Sequence, residues 1–279
     1  MNSIIFFTFS FIRLTKLFEL EKVIKLLKQK RLNSRKLRPL GETMFGWRGR
    51  IGLIVPSSNT TMEMEFHSML PEGVSLHVSR MPLKNVTEEE LLKMTSYAIE
   101  AAKLLSDAGV EIIAFGCTSG SFIGGKDFER ELEMKIEDEV NIETFTTSTA
   151  VLEALSVLDI QTVLVVTPYI EEINQREKEF LEANGFDVLD IKGLNIQDNL
   201  EIGKLEPYVA YRLAKATFTG DADGIFISCT NFRTFEIIEK LERDLGVPVV
   251  TSNQATLWMA LREIDVRDPL PLGKLLREY

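Results

Sequence analysis

Only two cysteines and two histidines occur in these 279 residues, and that scarcity closes off several classes of site. His67 and His77 have no ligand-spaced partner and no C-x-x-C occurs, so no metal is expected. Two thiols in a chain without a clean export signal are expected to stay reduced, which argues against a disulfide and for a cytoplasmic protein. Long apolar runs are missing as well. Ile4 to Ile12 is too short to span a bilayer, and it lacks both a preceding basic segment and a small-residue cleavage site, so no membrane partner is expected. Phosphate-binding glycine patterns are also lacking. Gly116-x-x-x-Gly120 and Gly124-Gly125 fit neither a P-loop nor a dinucleotide fingerprint, so no cofactor is expected. Positive charge is scarce beyond residue 43, where 22 Lys/Arg face 39 Asp/Glu for a net of −17. Such an acidic body has no face to neutralise phosphates, which excludes a general nucleic-acid binder. It also requires an anionic ligand to find strong local donors against the average field.

Residues 1–43 differ from the rest, with ten Lys/Arg against three Asp/Glu. Met44 is the natural start on this reading, and 1–43 are an extension that is not native or is disordered; a basic membrane-surface helix is the alternative. The remainder of the chain is duplicated. Ile54-Val55-Pro56 and Val166-Thr167-Pro168 are separated by the same offset as Cys117 and Cys229. Each half reads strand, proline turn, an intervening stretch of equal length, strand, Cys-Thr. The plainer reading of either cysteine is a small buried hydrophobe, since each borders an apolar run. Their equivalent places in a repeat, both at the end of a strand and both before Thr, favour a pair of thiols serving one substrate.

Strand and helix alternate through both halves. Strands are expected at 50–55, 75–79, 110–115, 142–145, 162–166, 187–191, 225–228 and 248–250. Thr87-Glu-Glu-Glu90 reads as a capping box opening one helix to about Asp107, with Leu91, Leu92, Ala98, Ala101, Ala102 and Leu105 on its apolar face. Further helices are expected near 126–139, 147–158, 170–184, 206–218, 232–245 and 254–263. This implies an α/β fold of two pseudo-symmetric doubly wound parallel-sheet units, 44–158 carrying Cys117 and 159–279 carrying Cys229. Ligands in such sheets bind beyond the carboxyl ends of the strands, where Pro56, Cys117, Pro168 and Cys229 all fall. The site therefore belongs in the cleft between the units.

Around the thiols the residue types suit a carboxylate. Ser57-Ser58-Asn59, Thr118-Ser119 and Thr230-Asn231 offer hydroxyl, amide and open N–H donors. A helix N-terminus after Cys117 is expected to lower its pKa. Ser, Thr and Asn are also the commonest helix caps, so capping and anion binding weigh equally here. Tyr169 could donate to a carboxylate or pack as a core aromatic. Arg233 could offset substrate charge or stand exposed.

At these residues the chain resembles the aspartate/glutamate racemase superfamily, and within it the maleate cis–trans isomerase and arylmalonate decarboxylase branch. The resemblance spans about residues 49–265. It rests on Gly52-Leu-Ile-Val-Pro56-Ser-Ser-Asn59-Thr, Gly116-Cys117-Thr-Ser119, Thr167-Pro168-Tyr169 and Ser228-Cys229-Thr230. It implies that Asn59, Tyr169 and Asn199 hold substrate carboxylates, that Cys117 is nucleophile or first base, and that Cys229 is its acid/base partner. In the isomerase reaction so implied, the Cys117 thiolate adds to maleate, the former double bond rotates, and elimination gives fumarate. Cys229 gives and retakes the proton on the neighbouring carbon. Thr118-Ser119 resembles the decarboxylase branch, yet that branch has glycine where Cys117 stands. The leading expectation is cofactor-independent isomerisation of a small dicarboxylate by a homo-oligomer. Racemisation or decarboxylation is the alternative, and a non-catalytic carboxylate-binding protein the alternative of another class.

Overall fold

All of Gly49–Pro56 except Arg50 is buried, the pattern of a strand covered on both faces rather than one facing water. In the computed structural model, which describes residues 44–279, this segment is β1 of a four-stranded parallel sheet. Its partners are β2 (Val74–Met81), β3 (Ile112–Phe115) and β4 (Thr144–Thr146), in the order β2-β1-β3-β4. A second sheet repeats the arrangement as β6-β5-β7-β8, with β5 (Thr162–Thr167), β6 (Asp187–Gly193), β7 (Gly224–Ile227) and β8 (Val249–Thr251). Even the register repeats. Ile54 lies opposite Phe115, and its counterpart in the second half, Val166, lies opposite Ile227. All eight expected strands are present. The expectation for residues 1–43 lies outside the described residues.

The first sheet is flanked by α1 (Met62–Met69), α2 (Glu88–Thr95), α3 (Ala98–Asp107), α4 (Thr118–Phe122), α5 (Phe128–Val140) and α6 (Thr147–Val157). The second has α7 (Glu171–Ala183), α8 (Asn199–Gly203), α9 (Pro207–Thr217), α10 (Ile238–Leu245, preceded by a 3-10 turn at Phe235–Ile237), α11 (Ser252–Glu263) and α12 (Gly273–Glu278). The single helix expected from Thr87 to Asp107 is broken into α2 and α3. The Thr95 and Ser96 hydroxyls bond back to the Leu92 and Lys93 carbonyls, offering the backbone an alternative to the helix ladder. The break leaves Leu92 exposed while Leu91, Ala98, Ala101, Ala102 and Leu105 are buried. Only half the Thr87 capping box forms. Thr87 accepts from the Glu90 N–H, but the Glu90 carboxylate turns to the N–H groups of Lys84 and Asn85. The complete box is at Thr251-Gln254, which opens α11.

In both sheets the chain order reverses between the first and third strands, and there the carboxyl ends leave a crevice. Gly116 makes the approach at this point possible. Its N–H donates to the Ile54 carbonyl at 2.7 Å, and a Cβ there would stand 2.7 Å from the Met62 sulfur and 2.9 Å from that carbonyl. The halves join along α6 and α11, which bury small residues against each other, among them Ala150, Ala154, Ala255 and Ala260. Thr256 donates to Thr147 across this seam at 3.1 Å. Phe45–Tyr279 thus form one unit that brings the two switch points together, Asn59 beside one donating to Thr230 beside the other.

Candidate active site

The two cysteines occupy matching places but differ in backbone. Cys117 is extended (φ −148°) and caps α4, while Cys229 has φ +94°, a left-handed conformation that a non-glycine residue holds at a cost of about 1–3 kcal/mol. Both are buried, with 4% and 6% of their surface exposed. They lie near enough that charge on Cys117 would push up the pKa of Cys229. Each sulfur faces two donors. The Gly120 N–H and the Ser119 hydroxyl, 3.9 Å away, favour a thiolate at Cys117. The Asn231 N–H, 3.4 Å away, and the Tyr169 hydroxyl do so at Cys229. These donors do not outweigh burial. Desolvation pushes Cys117 up to about 11 and Cys229 up to about 12, contrary to the lowering expected from a helix N-terminus. The helix explains part of this outcome, because α4 has only five residues and little dipole.

Around the thiols the expected donors converge from both halves. Asn59 donates to the Thr230 hydroxyl at 3.1 Å, and its carbonyl accepts the Thr61 and Met62 N–H groups at the start of α1. Asn199 donates to the Ser58 hydroxyl at 2.8 Å. Thr118 donates to Ser252 at 2.8 Å, and Ser252 in turn accepts the Cys229 N–H at 3.0 Å. Ser252 thereby ties the neighbour of one thiol to the backbone of the other, a role the sequence reading did not assign. Asn231 is committed to the protein, accepting from the Thr60 N–H at 2.8 Å and donating to the Asn199 carbonyl at 2.6 Å. Its backbone N–H, not its amide, is the group facing sulfur. Tyr169 is 1% exposed, so it is both the packed aromatic and the donor. Arg233 is exposed and paired with Glu236. A surface cavity of about 490 Å³ opens beside the joint, lined by Thr60, Thr61, Glu65, Arg233 and Phe235 among others; neither thiol lines it.

No Lys, Arg or His is among the buried polar residues described, so a bound anion would be held by neutral amides and hydroxyls. No group of three His, Cys, Asp or Glu placed to hold a metal is present among the described residues, and none of their helices is long and apolar enough to cross a membrane.

Glu65 on α1, Glu129 on α5 and Glu177 on α7 are buried acids that the sequence did not single out, and Glu65 and Glu177 form a pair. They are separated by the same offset as the two cysteines, so the repeat that linked the thiols would have linked them too. Burial raises Glu65 to about 7 and Glu177 to about 8. Glu65 reaches into the second half, to the N–H groups of Thr234 (2.6 Å) and Phe235 (3.0 Å) and to the Asn253 amide (2.6 Å). Glu177 accepts only from Ser228, at 2.5 Å.

The arylmalonate decarboxylase family model matches residues 51–275. A maleate isomerase from Pseudomonas putida is 31% identical over 241 residues, covering 81% of this chain and 96% of its own length. The arylmalonate decarboxylase of Bordetella bronchiseptica is 29% identical and covers 76% of this chain and 89% of its own. Among solved structures, a cysteine-to-serine mutant of Nocardia farcinica maleate cis–trans isomerase with a covalently bound succinylcysteine intermediate superposes with a TM-score of 0.80. Its identity is 28%, over 83% of this chain and 99% of that one.

Proposed function

This chain belongs to the arylmalonate decarboxylase family, and from that premise we propose that it is a cofactor-independent cis–trans isomerase of a small dicarboxylate such as maleate, working through Cys117 and Cys229. The observation that carries this reading is the pair of neighbouring buried thiols, each with donors that favour its thiolate, at the switch points of two sheets within one unit. The structural relative with a succinylcysteine points to the same chemistry.

The reaction needs one thiolate and one thiol. The Cys117 thiolate adds to an alkene carbon, and Cys229 passes its proton to the adjoining carbon, which leaves a single bond free to turn. Cys229 then takes the proton back, the Cys117–carbon bond breaks, and the trans alkene departs. Atoms and charge balance without an oxidant. The oxyanion formed at the carboxylate as the thiolate adds meets neutral donors only, and donors preorganised in a dry site act strongly on developing charge. Burial makes the thiolate scarce but reactive, because it sheds little water before attack.

Decarboxylation of a malonate is the second reading, and Thr118-Ser119 favours it. Both hydroxyls are buried beside Cys117. Trapping separates the two. When the Cys229→Ser variant is incubated with maleate, mass spectrometry of the intact protein and its peptides should show one succinyl unit on Cys117. Carbon dioxide release from a malonate with no adduct from maleate would replace the isomerase reading by the decarboxylase one.

A further inference from the structure

The chain after each cysteine is held by different means. After Cys117 it forms α4, which closes on itself: the Ser121 N–H bonds the Cys117 carbonyl and the Ile123 N–H the Ser119 carbonyl, both at 3.1 Å. After Cys229 it runs without helix to the 3-10 turn at Phe235, and within it the Phe232 N–H bonds the Cys229 carbonyl at 3.1 Å. Its other ties come largely from elsewhere. Ser252 accepts the Cys229 N–H, Asn253 donates to the Thr230 carbonyl (3.0 Å), and the Thr61 hydroxyl donates to the Asn231 carbonyl (3.0 Å). At the far end the Thr234 and Phe235 N–H groups both donate to one carboxylate oxygen of Glu65. The second oxygen takes the Asn253 amide nitrogen, the same one that holds Thr230. Glu65, on the first half, thus holds both ends of a segment of the second, one of them through Asn253.

These contacts fix the form that Glu65 must take. Backbone N–H groups only donate, so the oxygen facing Thr234 and Phe235 serves as an acceptor. The Asn253 nitrogen lies between two acceptors, the Thr230 carbonyl and the second Glu65 oxygen. That orientation leaves Asn253 Oδ1 buried with no hydrogen-bond partner among the described residues, a costly arrangement that a carboxylate at Glu65 enforces. A neutral amide in its place would set donor against donor. The charged groups acting on this carboxylate are Glu236 and Arg233, which pair with each other.

The segment so held carries the Asn231 N–H that faces the Cys229 sulfur at 3.4 Å, and it begins at the left-handed Cys229 backbone. A non-glycine residue keeps such a conformation only where its surroundings over-determine it. We infer that Glu65 is a positioning residue for the Cys229 thiol: its carboxylate, through Thr234, Phe235 and Asn253, holds the segment that aims the Asn231 N–H at the sulfur. The proposal rests on the reading of Cys229 as a working thiol. Glu65 acts through the backbone and exchanges no proton with the sulfur. Cys117, followed by a helix that satisfies itself, has no such dependence.

The test is iodoacetamide alkylation of the full chain carrying Cys117→Ala, with and without Glu65→Gln, read by mass spectrometry. It is run at pH 9, above the value of about 7 to which burial raises Glu65. Losing an N–H bond to the thiolate raises the thiol by about one unit, so Glu65→Gln should slow modification of Cys229 about tenfold. In a Cys229→Ala background the same replacement should leave the Cys117 rate within about twofold. The sign separates positioning from packing. A loosened fold uncovers buried thiols and speeds both, and removal of a nearby negative charge also speeds Cys229. An unchanged or faster Cys229 rate, or equal slowing at Cys117, overturns the inference. If Glu65→Gln does not fold, Asn253→Ala keeps the hold on Thr234 and Phe235 and drops the tie to Thr230. It should slow Cys229 by about threefold or more, and an unchanged or faster rate overturns the inference there too. Neither readout needs turnover, so failure here is distinct from failure of the isomerase reading.

Discussion

Tyr169 shows how one residue serves packing and chemistry together. Its ring is among the largest fully buried side chains, which fixes where its hydroxyl can reach, and that hydroxyl meets Cys229. A hydrogen bond to a charged group contributes about 1.5–3 kcal/mol. Tyr169→Phe should therefore slow iodoacetamide alkylation of Cys229 at fixed pH by about tenfold to a hundredfold, with the far-ultraviolet dichroism unchanged. An unaltered alkylation rate would mean that the hydroxyl does not act on the thiol. The buried acids set a pH dependence of stability. Glu65 and Glu177 have folded-state pKa values of about 7 and about 8, raised above the ordinary carboxylate value. Their contribution is fully present below about pH 4.5 and is lost as pH rises through 7 to 8. Urea unfolding should accordingly show stability falling between pH 5 and pH 9. Glu177→Gln should flatten part of that fall.

At the scale of elements, Gly116 follows β3 and packs against β1 and α1. Gly116→Ala places a methyl against the Ile54 carbonyl, a backbone atom that cannot rotate away, so it should lower stability by about 1–3 kcal/mol and the melting temperature by several degrees. A melt within one degree of wild type would show that the sheet yields there. The strands were legible because a parallel sheet covered on both sides demands unbroken apolar runs, and Ile112–Phe115 or Gly224–Ile227 have no other use. Several helices were not. In α1, Met62-Glu-Met-Glu-Phe-His-Ser-Met buries one of its acids, Glu65, so its periodicity is masked by a charge at a core position. The five residues of α4 and of α8 are too few to show any period. The α2–α3 break depends on two hydroxyls bonding backward, which spacing alone does not reveal. Glu177 was hidden for a further reason. In α7 the run Glu171-Glu-Ile-Asn-Gln-Arg-Glu177-Lys-Glu reads as a solvated face, and only its burial in the fold separates Glu177 from its neighbours.

Across the whole molecule, duplication brings two buried thiols near each other and then differentiates them. One is an extended residue capping a short helix; the other is a left-handed residue backed by a tyrosine and a buried acid. With both sulfurs buried, entry of a substrate is expected to open a joint between the halves. The loop after β2 and the loop after β6 meet through the Val86 N–H to the Gln197 carbonyl (2.8 Å) and the Asn199 N–H to the Lys84 carbonyl (3.0 Å). Hydrogen exchange at the Val86 and Asn199 amides should be fast without ligand and slow by tenfold or more, about 1.4 kcal/mol, with saturating maleate. Equal exchange in both states would place the opening elsewhere. The candidate thiols and most of their donors could be read from the repeat. What could not was their mutual wiring, since Ser252 reaches the Cys229 N–H, and Glu177 the Ser228 hydroxyl, across folded distances that no linear spacing records.

The central claim is that Cys117 and Cys229 act together on a carbon–carbon double bond. Proton NMR of maleate with the full chain in deuterated water tests it most directly, run on wild type, Cys117→Ala and Cys229→Ala. Wild type should convert maleate to fumarate without added metal or cofactor, and each single replacement should lower the rate by about a thousandfold or more, or about 4 kcal/mol of transition-state stabilisation. Fumarate formed at an undiminished rate by either variant would contradict the account.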